Sequence, residues 1–292
     1  MPELPEVQTT VNGLNKTVKG KKIVTVSTTY DSKHYRNKLE IKNPRFFKKF
    51  KRMVTDQTIL GAERRAKNIL IHLSNDQTIL VHMKMTGHFV YDRPNTPFVR
   101  LDFTLNNGKH LVLSDMRKFA KVTLLKTVGI EESLHLKHLG PEPLNKNFQF
   151  PDFNFQIRKK PKGKIKQVLM DQSLISGIGN IYADEILWRA GVHPFSHPDK
   201  IPERNLRTMF MATKETLRRG LDFGGDSMSD YRNIKGERGQ FQKYHRAYKK
   251  TGHQCSKKGC EGIIERTVIG MRSAHFCSIH QILYPPRRQA DK

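Results

Sequence analysis

The feature of this sequence that most constrains its fold is a change in hydrophobic periodicity near residues 140–143, which have the sequence Gly-Pro-Glu-Pro. Before this cluster, apolar side chains alternate with other residues, most clearly over residues 99–105, and alternation predicts antiparallel strands. After it, apolar residues recur at helical spacing, as over residues 202–217, which predicts helices. Because glycine and proline interrupt both kinds of element, we place a domain boundary here.

The part before this boundary is predicted to be an antiparallel β-sandwich or barrel with one leading helix. An amphipathic helix is predicted over residues 7–18, and strands are predicted from about residue 22 to residue 125. Residues 106–108, Asn-Asn-Gly, separate two alternating runs and have the chemistry of a hairpin turn. Beyond the boundary, helices are predicted at residues 165–169, 182–190 and 202–217.

The charge balance predicts a polyanionic partner. The chain has 292 residues, with 53 Lys and Arg against 27 Asp and Glu, a net charge of +26. Such an excess favours nucleic acid over an anionic membrane, and the alternative is a generally basic or ribosomal protein. The sequence contains no run of about 18 apolar residues and no signal peptide at its beginning. We therefore expect a cytoplasmic protein that does not enter a membrane.

The cysteines lie near the end of the chain in the pattern of a structural zinc ribbon, where two close pairs of ligands are joined by a hairpin. An odd number of cysteines does not suggest a disulfide framework. The first pair has four intervening residues and the fourth ligand is a histidine, with His253 as a rival. The alternative is that the cysteines are merely buried. The predicted ligands of one structural Zn²⁺ are Cys255, Cys260, Cys277 and His280.

The N-terminus is a candidate chemical group. If Met1 is removed, Pro2 becomes a secondary amine, and an α-amino group titrates near ~8 rather than the ~10.4 of lysine. Such an amine can attack C1′ of a deoxyribose and form an iminium directly. Glu3 is a candidate general acid, and Glu6 is expected to stabilise the helix N-terminus. Taken alone, a proline followed by acids is more typical of an ordinary helix start.

Several strings together resemble the bacterial formamidopyrimidine-DNA glycosylase family, in the same order and at similar spacing. They are MPELPEV, RRAKNILIHL, HMKMTGHF, LSDMRKF, LGPEPL, LMDQSLISGIGNIYADEILWRAGVHP and the terminal cysteine finger. The resemblance extends from residue 2 to about residue 281, and its first string and GIGNIYADE are the most specific. It implies an α+β multidomain protein: an antiparallel β-sandwich with a leading helix, a helix–two-turn–helix domain and a zinc-ribbon hairpin, with DNA held in the cleft. The corresponding expected segments are residues 1–137, 138–248, 249–285 and a basic tail at 286–292.

The resemblance also implies roles for single residues. Pro2 resembles the family's Schiff-base nucleophile, Glu3 its partner acid, and Lys67 a lysine that holds phosphates near the lesion. Without the motif, Lys67 would be interpreted as a solvated lysine at a strand end. Further residues that resemble DNA contacts of the family are His82, Lys118, Lys166, Asn180, Tyr182 and Arg272. Lys118 stands where the family usually has an arginine, so the charge is kept but the bidentate fork is lost.

Met85, Arg117 and Phe119 resemble the three residues that fill the space left by an extruded nucleotide. An apolar wedge and an arginine donor restore part of the stacking and pairing that the duplex loses. The alternative for Met85 and Phe119 is ordinary core packing. Residues 232–241 resemble the mobile loop that closes over the oxidised base, and Glu185 is expected to organise the turn before its helix.

The leading hypothesis is a monomeric bifunctional glycosylase and abasic-site lyase acting on 8-oxoguanine and formamidopyrimidines in duplex DNA of the bacterial nucleoid. β,δ-Elimination would leave a gap with phosphate on both sides. One alternative is the endonuclease VIII-like activity on oxidised pyrimidines, which Leu4 and the Met85, Arg117 and Phe119 trio disfavour. The other is a non-catalytic protein that binds damaged DNA, which the presence of Pro2 and Glu3 disfavours.

Overall fold

The computed structural model describes residues 1–30, 35 and 37–284. The chain forms two compact units. The chain first passes from one unit to the other after Lys137, close to the change in hydrophobic periodicity. Residues 220–242 fold with the first unit rather than with the helical part of the chain. They do so because Ile234 is buried in the core of the first unit and its carbonyl accepts the backbone N–H of Tyr91 at 2.9 Å. Residue 285 and the basic tail lie outside the described residues.

The first unit is a sandwich of two four-stranded antiparallel sheets, in the orders β1-β6-β7-β5 and β2-β3-β4-β8. Apolar side chains of both sheets and of the two helices form one shared core, which confirms the predicted sandwich and leading helix. Its described helices and strands are α1 Leu4–Thr17, β1 Ile23–Thr28, α2 Pro44–Val54, β2 Ile59–Arg65, β3 Asn68–Leu73, β4 Gln77–His82, β5 His88–Tyr91, β6 Val99–Leu105, β7 His110–Ser114 and β8 Lys121–Lys126.

The predicted hairpin is confirmed in β6 and β7, whose antiparallel register includes Leu101 opposite Leu113. The turn between them contains Gly108 at φ 75°, a left-handed conformation that glycine adopts without steric cost. Alternation therefore specified which face of each strand is buried, and the turn sequence specified where the chain reverses.

The prediction of strands throughout residues 22–125 is wrong for α2. The Asn43 side chain accepts the backbone N–H of Arg45 at 3.1 Å, and Pro44 occupies the first turn, so the helix has both a cap and a favourable start. Phe50 is buried beside Phe103, with ring centroids 6.4 Å apart. These contacts, together with the other aromatic residues of the same face, hold the helix on the sandwich.

The second unit contains helices and a two-stranded antiparallel hairpin, in which Ile269 pairs with Arg272 across the turn. Three of its helices were predicted, whereas the helix beginning at Phe150 was not. In the described part of the chain, no helix has the length and apolar character required to cross a bilayer. The described elements are α3 Phe150–Arg158, α4 Ile165–Met170, α5 Asn180–Ala190, α6 Glu203–Asp222, β9 Ile264–Ile269 and β10 Arg272–Cys277. The last residues of α6 belong to the first unit.

Gly13→Ala is expected to destabilise the first unit, although alanine is better than glycine in a helix by about 1 kcal/mol. A Cβ at Gly13 would lie 2.5 Å from Cγ2 of the buried Ile234. Overpacking of this kind costs about 1–3 kcal/mol, so we expect a lower midpoint in chemical denaturation. Lys16→Ala, at an exposed position of the same helix, is the control. Equal midpoints for Gly13→Ala and the wild-type protein would contradict this packing.

Candidate nucleic-acid interface

Pro2 and Glu3 lie at the N-terminus of α1, where Glu3 is the N-cap residue. Its carboxylate accepts the backbone N–H of Glu6, and Glu6 Oε2 accepts the backbone N–H of Glu3 at 2.7 Å. Both carboxylates are buried, at 2% exposure. Glu6 therefore supports the helix N-terminus, as expected, and does so through a hydrogen bond as well as through charge.

Glu6 also connects this helix to residues 225–231, which the sequence did not indicate. Its Oε1 accepts the backbone N–H of Asp226 at 2.7 Å, and the Tyr231 hydroxyl donates to the Glu6 carbonyl at 3.0 Å. A Cβ at Gly225, whose φ is 86°, would lie 2.9 Å from the Glu6 side chain. Burial, followed by the Glu6 charge, raises the pKa of Tyr231, so its hydroxyl remains a donor.

The glycine-containing segment predicted to close over a base is held by internal hydrogen bonds. The Ser227 hydroxyl accepts the backbone N–H of Gly239 at 2.9 Å, and the Arg238 guanidinium donates to the Ser227 carbonyl at 2.7 Å. A Cβ at Gly239 would lie 2.1 Å from the carbonyl oxygen of Gly225. Only glycine therefore fits at position 239, where the two backbone segments cross.

Lys67 and His82 lie at the same end of β3 and β4, where Asn68 pairs with His82. Lys67 occupies the two-residue turn before β3 and is buried, at 6% exposure. The interpretation of Lys67 as a solvated strand-end lysine is therefore wrong. Lys84 is two residues from His82 in the chain, whereas Lys121 is brought opposite His82 by the β4–β8 pairing, which the sequence did not indicate.

Burial and these lysines together keep His82 a neutral group. Burial, and then the charges of Lys84, Lys67 and Lys121, lower the pKa of His82 to about 3 from its ordinary 6.5. Its Nδ1 accepts the backbone N–H of Lys84 at 3.0 Å, so the ring proton is on Nε2. The arrangement offers one neutral donor among three ammonium groups, which suits an anionic oxygen.

The turns before β5 and before β8 are joined by the fully buried carboxylate of Asp115. Its Oδ1 accepts the Thr86 hydroxyl at 2.5 Å, and the Thr86 oxygen in turn accepts the backbone N–H of Arg117 at 3.0 Å. Its Oδ2 accepts the backbone N–H of Ala120 at 2.8 Å and the Tyr30 hydroxyl at 3.1 Å. Asp115 therefore fixes the two turns relative to each other.

These turns carry Met85 and the sequence Arg117-Lys118-Phe119, so the structure places the predicted trio on adjoining turns. Phe119 is 47% exposed, and the Arg117 guanidinium lies 4.7 Å from its ring centroid. The interpretation of Phe119 as a core residue is therefore wrong. The side chain of Met85 is half-buried. Lys118 is exposed at φ 57°.

Asn180 and Arg272 are close in the second unit. Asn180 is the first residue of α5 and donates from Nδ2 to the Ser273 hydroxyl at 3.3 Å. Arg272 begins β10, is exposed, and directly precedes Ser273. This arrangement combines a helix N-terminus, an amide and a guanidinium, which together suit a phosphate.

Lys166 and Tyr182 differ from the prediction, because both side chains are buried, at 1% and 0% exposure. The Lys166 ammonium lies 2.5 Å from Asp184 Oδ1 and also donates to the carbonyl of Ser273. Asp184 Oδ2 accepts from the backbone and the ring of His275 at 3.0 and 2.8 Å. A predicted phosphate contact is therefore replaced by a buried ion pair that attaches β10 to α4 and α5.

Glu185 organises a different segment from the one expected. Its carboxylate accepts three consecutive backbone N–H groups, those of Arg246, Ala247 and Tyr248, at 2.8–3.0 Å. Burial raises the pKa of Glu185, although the charge of His245 and these hydrogen bonds oppose the rise. The carboxylate holds the segment that leads into the cysteine region.

The predicted metal ligands come together. The donor atoms of Cys255, Cys260, Cys277 and His280 all lie within 4.8 Å of one another, and this group does not include the rival His253. Cys260 and Cys277 have sulfur atoms 3.5 Å apart, too far for a disulfide of about 2.0 Å. The edges of a tetrahedral zinc site with these ligands are about 3.5–3.8 Å, so the spacing fits zinc.

The surroundings of the four donors also fit a metal. Backbone N–H groups of Lys257, Gly262 and Ile279 point at the three sulfur atoms at 3.4–3.5 Å. His280 Nε2 donates to the Trp188 carbonyl at 2.9 Å, which leaves Nδ1 as the ligand atom. Burial lowers the pKa of His280, and a neutral imidazole is the form that binds zinc.

Comparison with known proteins identifies the family. The model of the formamidopyrimidine-DNA glycosylase N-terminal domain matches residues 1–122, and the model of that family's H2TH domain matches residues 139–232. A formamidopyrimidine-DNA glycosylase of Protochlamydia amoebophila (strain UWE25) is 36% identical over 289 residues, covering 96% of this chain and 99% of the relative. This chain belongs to the formamidopyrimidine-DNA glycosylase family.

Solved structures of the family agree with this assignment. A complex of the Lactococcus lactis Fpg with DNA containing an abasic site has a TM-score of 0.85 and 30% identity, covering 96% of this glycosylase and 99% of that chain. A complex of a Lactococcus lactis FPG mutant with DNA containing Fapy-dG has a TM-score of 0.84 and 31% identity, with the same coverage. The predicted fold is therefore confirmed, and membership of this glycosylase family implies base excision repair of damaged DNA.

The His82 ring of the glycosylase is expected to remain neutral, with its proton on Nε2, from pH 8 down to pH 5. A folded-state pKa below the unfolded value means that His82 contributes stability above about pH 6.5 and that this contribution is lost as the pH falls towards 3. Nitrogen NMR of the imidazole measures both the tautomer and the titration. A ring that titrates near pH 6.5 would contradict the environment described for His82.

Metal content is expected to depend on His280 and not on His253. The purified protein should contain one zinc per chain by mass spectrometry, His280→Ala should lose it more readily to a chelator, and His280→Cys should retain it because thiolate is also a zinc ligand. His253→Ala is the matched control, since His253 is exposed and outside the cluster. Equal zinc retention by His280→Ala and His253→Ala would show that His280 is not a ligand.

Proposed function

We propose that this protein is a bifunctional DNA glycosylase and abasic-site lyase that removes oxidised purines, 8-oxoguanine and formamidopyrimidines, from duplex DNA. The observation that carries the proposal is the N-terminus of α1 in a chain of this family: Pro2 and the capping residue Glu3 precede a helix whose Glu6 is attached to residues 225–231. The N-terminal amine is thereby associated with the segment proposed to close over the base.

The first step is proposed to be attack by the secondary amine of Pro2 on C1′, after Met1 has been removed. The nitrogen forms a bond to C1′ while the glycosidic bond breaks, and the departing base keeps the electron pair and takes a proton. Opening of the sugar ring, with protonation of its oxygen, gives an iminium. Glu3 supplies a proton to the sugar oxygen or to the departing base, and its place as N-cap residue orients it.

The iminium then acts as an electron sink for strand cleavage. Loss of a C2′ proton expels the 3′ phosphate, and a second elimination expels the 5′ phosphate, which leaves a gap with phosphate on both sides. Water hydrolyses the remaining iminium and regenerates the Pro2 amine. The overall reaction consumes only water as co-reactant. Every bond that breaks lies in the DNA or in the covalent intermediate.

The DNA backbone is proposed to bind at two places. In the first unit, the neutral His82 and the ammonium of Lys67 hold phosphates, and Lys84 and Lys121 contribute charge. In the second unit, Asn180 and the exposed Arg272 hold a phosphate at the N-terminus of α5. The buried Lys166 and Tyr182 act as positioning residues, since the Lys166 ammonium donates to the Ser273 carbonyl beside Arg272.

Zinc is proposed to hold the hairpin that presents Arg272. Cys255, Cys260, Cys277 and His280 would bind one ion, which when bound supplies folding energy to a segment too small for a core of its own. The four ligands leave no open position for substrate, so the ion is structural.

The exposed turns are proposed to replace the extruded nucleotide. Phe119 and Met85 enter the stack as apolar wedges, and Arg117 donates to the unpaired base. The exposed Lys118 contributes charge beside them. The purine preference is supported by the structure neighbour that holds Fapy-dG. We further propose that the protein acts as a monomer on the bacterial nucleoid.

Borohydride trapping tests the nucleophile. Reduction of the iminium should link the protein covalently to a duplex with one 8-oxoguanine opposite cytosine, and to a duplex with an abasic site. A tag before Met1, which keeps Pro2 from becoming an amine, should abolish trapping, whereas the same tag at the C-terminus should not. Normal trapping by protein that retains Met1 would overturn the proposal.

Glu3→Gln separates the two activities. Loss of a general acid lowers the rate by about 10²–10⁴-fold, so excision of 8-oxoguanine should fall, while trapping on an abasic site, which has no base to expel, should fall much less. A duplex with an oxidised pyrimidine is the substrate control. Faster single-turnover excision of the pyrimidine than of 8-oxoguanine would support the endonuclease VIII-like alternative.

A further inference from the structure

We propose that the exposed face of α2 is a further, sequence-independent contact for the phosphate backbone of duplex DNA. This α2 basic face consists of Arg45, Lys48, Lys49, Lys51 and Arg52. The inference rests on the proposed function in one respect, the choice of duplex DNA as the polyanion. None of these residues belongs to the candidate interface described above.

The spacing places these cations on one side of the helix. Arg45, Lys48, Lys49 and Arg52 are separated by three or four positions, so they are neighbours on the helix surface. All are exposed, as is Lys51, whereas Phe50 and Val54 are buried on the opposite side. The helix therefore has a basic face directed to solvent and an apolar face directed to the core.

Helix stability does not explain this distribution of charge. The helix contains no acidic residue, and like charges three or four positions apart repel one another. Lys51 and Arg52, in the last turn, are favourably placed for the helix dipole, but Arg45 lies in the first turn, where a cation is unfavourable. A polyanion that neutralises these charges would relieve the repulsion.

Within the part of the chain that the structure describes, the basic face also has no partner. Among the described residues, none of the five side chains takes part in a hydrogen bond or an ion pair. The carboxylate of Asp56, just beyond the helix, pairs with Lys22 at 2.9 Å. The five charges are therefore available for an external partner.

The packing of α2 favours DNA over a membrane. Phe46, Phe47 and Phe50 are packed on the core of the first unit, so the helix cannot insert its apolar face into a lipid surface. An interaction through the exposed face is purely electrostatic. Duplex DNA carries one charge per about 1.7 Å of axis, and the helix from Arg45 to Arg52 extends about 10 Å, so the face can meet several phosphates.

The position of α2 separates this contact from the proposed chemistry. The helix packs against β1, whereas Lys67 and His82 lie at the ends of β3 and β4 and the wedge residues lie on the turns before β5 and β8. A contact here would strengthen binding to any duplex, damaged or undamaged, without taking part in base excision. Its function would be to hold the protein on DNA during the search for a lesion.

The test compares two variants that each lose four positive charges. The face variant carries Arg45→Gln, Lys48→Gln, Lys49→Gln and Arg52→Gln. The matched control has four dispersed, exposed lysines replaced by Gln: Lys126, Lys137, Lys146 and Lys159. Fluorescence anisotropy measures the binding of each protein to a long undamaged duplex over a series of salt concentrations, and circular dichroism confirms that each is folded.

The slope of log K against log salt is expected to fall in magnitude by about 2–4 in the face variant, since each phosphate contact contributes about 0.9. The scattered control should change it much less. An equal change in both variants would show that only net charge matters and would overturn the inference, as would an unchanged slope. Loss of binding to anionic vesicles, with DNA binding retained, would replace DNA by a membrane.

Borohydride trapping on a short duplex with an abasic site distinguishes this inference from the proposed function. The face variant should be trapped like the wild-type protein, because Pro2 and the candidate interface are intact. Failure of the wild-type protein to be trapped would refute the proposed chemistry and leave the salt dependence as the test of α2. Loss of trapping in a folded face variant would contradict the separation of α2 from the chemistry.

Discussion

The buried carboxylate of Glu6 is the interaction on which the proposed catalytic end of the molecule depends. Its two oxygens accept the backbone N–H groups of Glu3 and of Asp226, which are separated by more than 200 residues in the chain. Burial of this carboxylate is tolerated because both oxygens have donors. Since one side chain satisfies both backbone groups, it links the position of the N-terminus of α1 to that of the segment after α6. Gly225 is required because a Cβ there would meet this carboxylate.

Buried carboxylates perform the same task at the other candidate groups. Asp115 joins the turns that carry the proposed wedge residues, Asp184 attaches β10 to two helices, and Glu185 holds three consecutive backbone N–H groups before the cysteine region. The turns that carry the proposed wedge residues and the strand that begins with Arg272 are thus held by acids that do not face solvent. Hydrogen bonds to a charged acceptor are stronger than neutral ones, so short connections can be held without a large core around them.

Local signals in the sequence were sufficient for most of the fold and for the metal ligands. Alternation, turn chemistry and ligand spacing predicted the sandwich, the β6–β7 hairpin and the cluster containing His280, because each depends on residues near one another in the chain. The failures involve distant partners. Lys166 is buried because Asp184 and Ser273 surround its ammonium, and no pattern near Lys166 indicates this. The helix at Pro44–Val54 was missed because the alternating residues on both sides favoured strands throughout this region.

The use of acids inside the protein also affects the surface charge of a chain with 53 basic and 27 acidic residues. Several acids are used inside to hold turns, and a buried acid neutralises at most the cation beside it, as Asp184 does for Lys166. In the described part of the chain, the five exposed cations of α2 then lack counter-charges, whereas other exposed cations are paired, as Lys22 is with Asp56. Surface ion pairs contribute little to stability, so little stability is lost by leaving these cations unpaired. The free energy gained when they displace counterions from DNA is larger, because it adds up over every phosphate contacted.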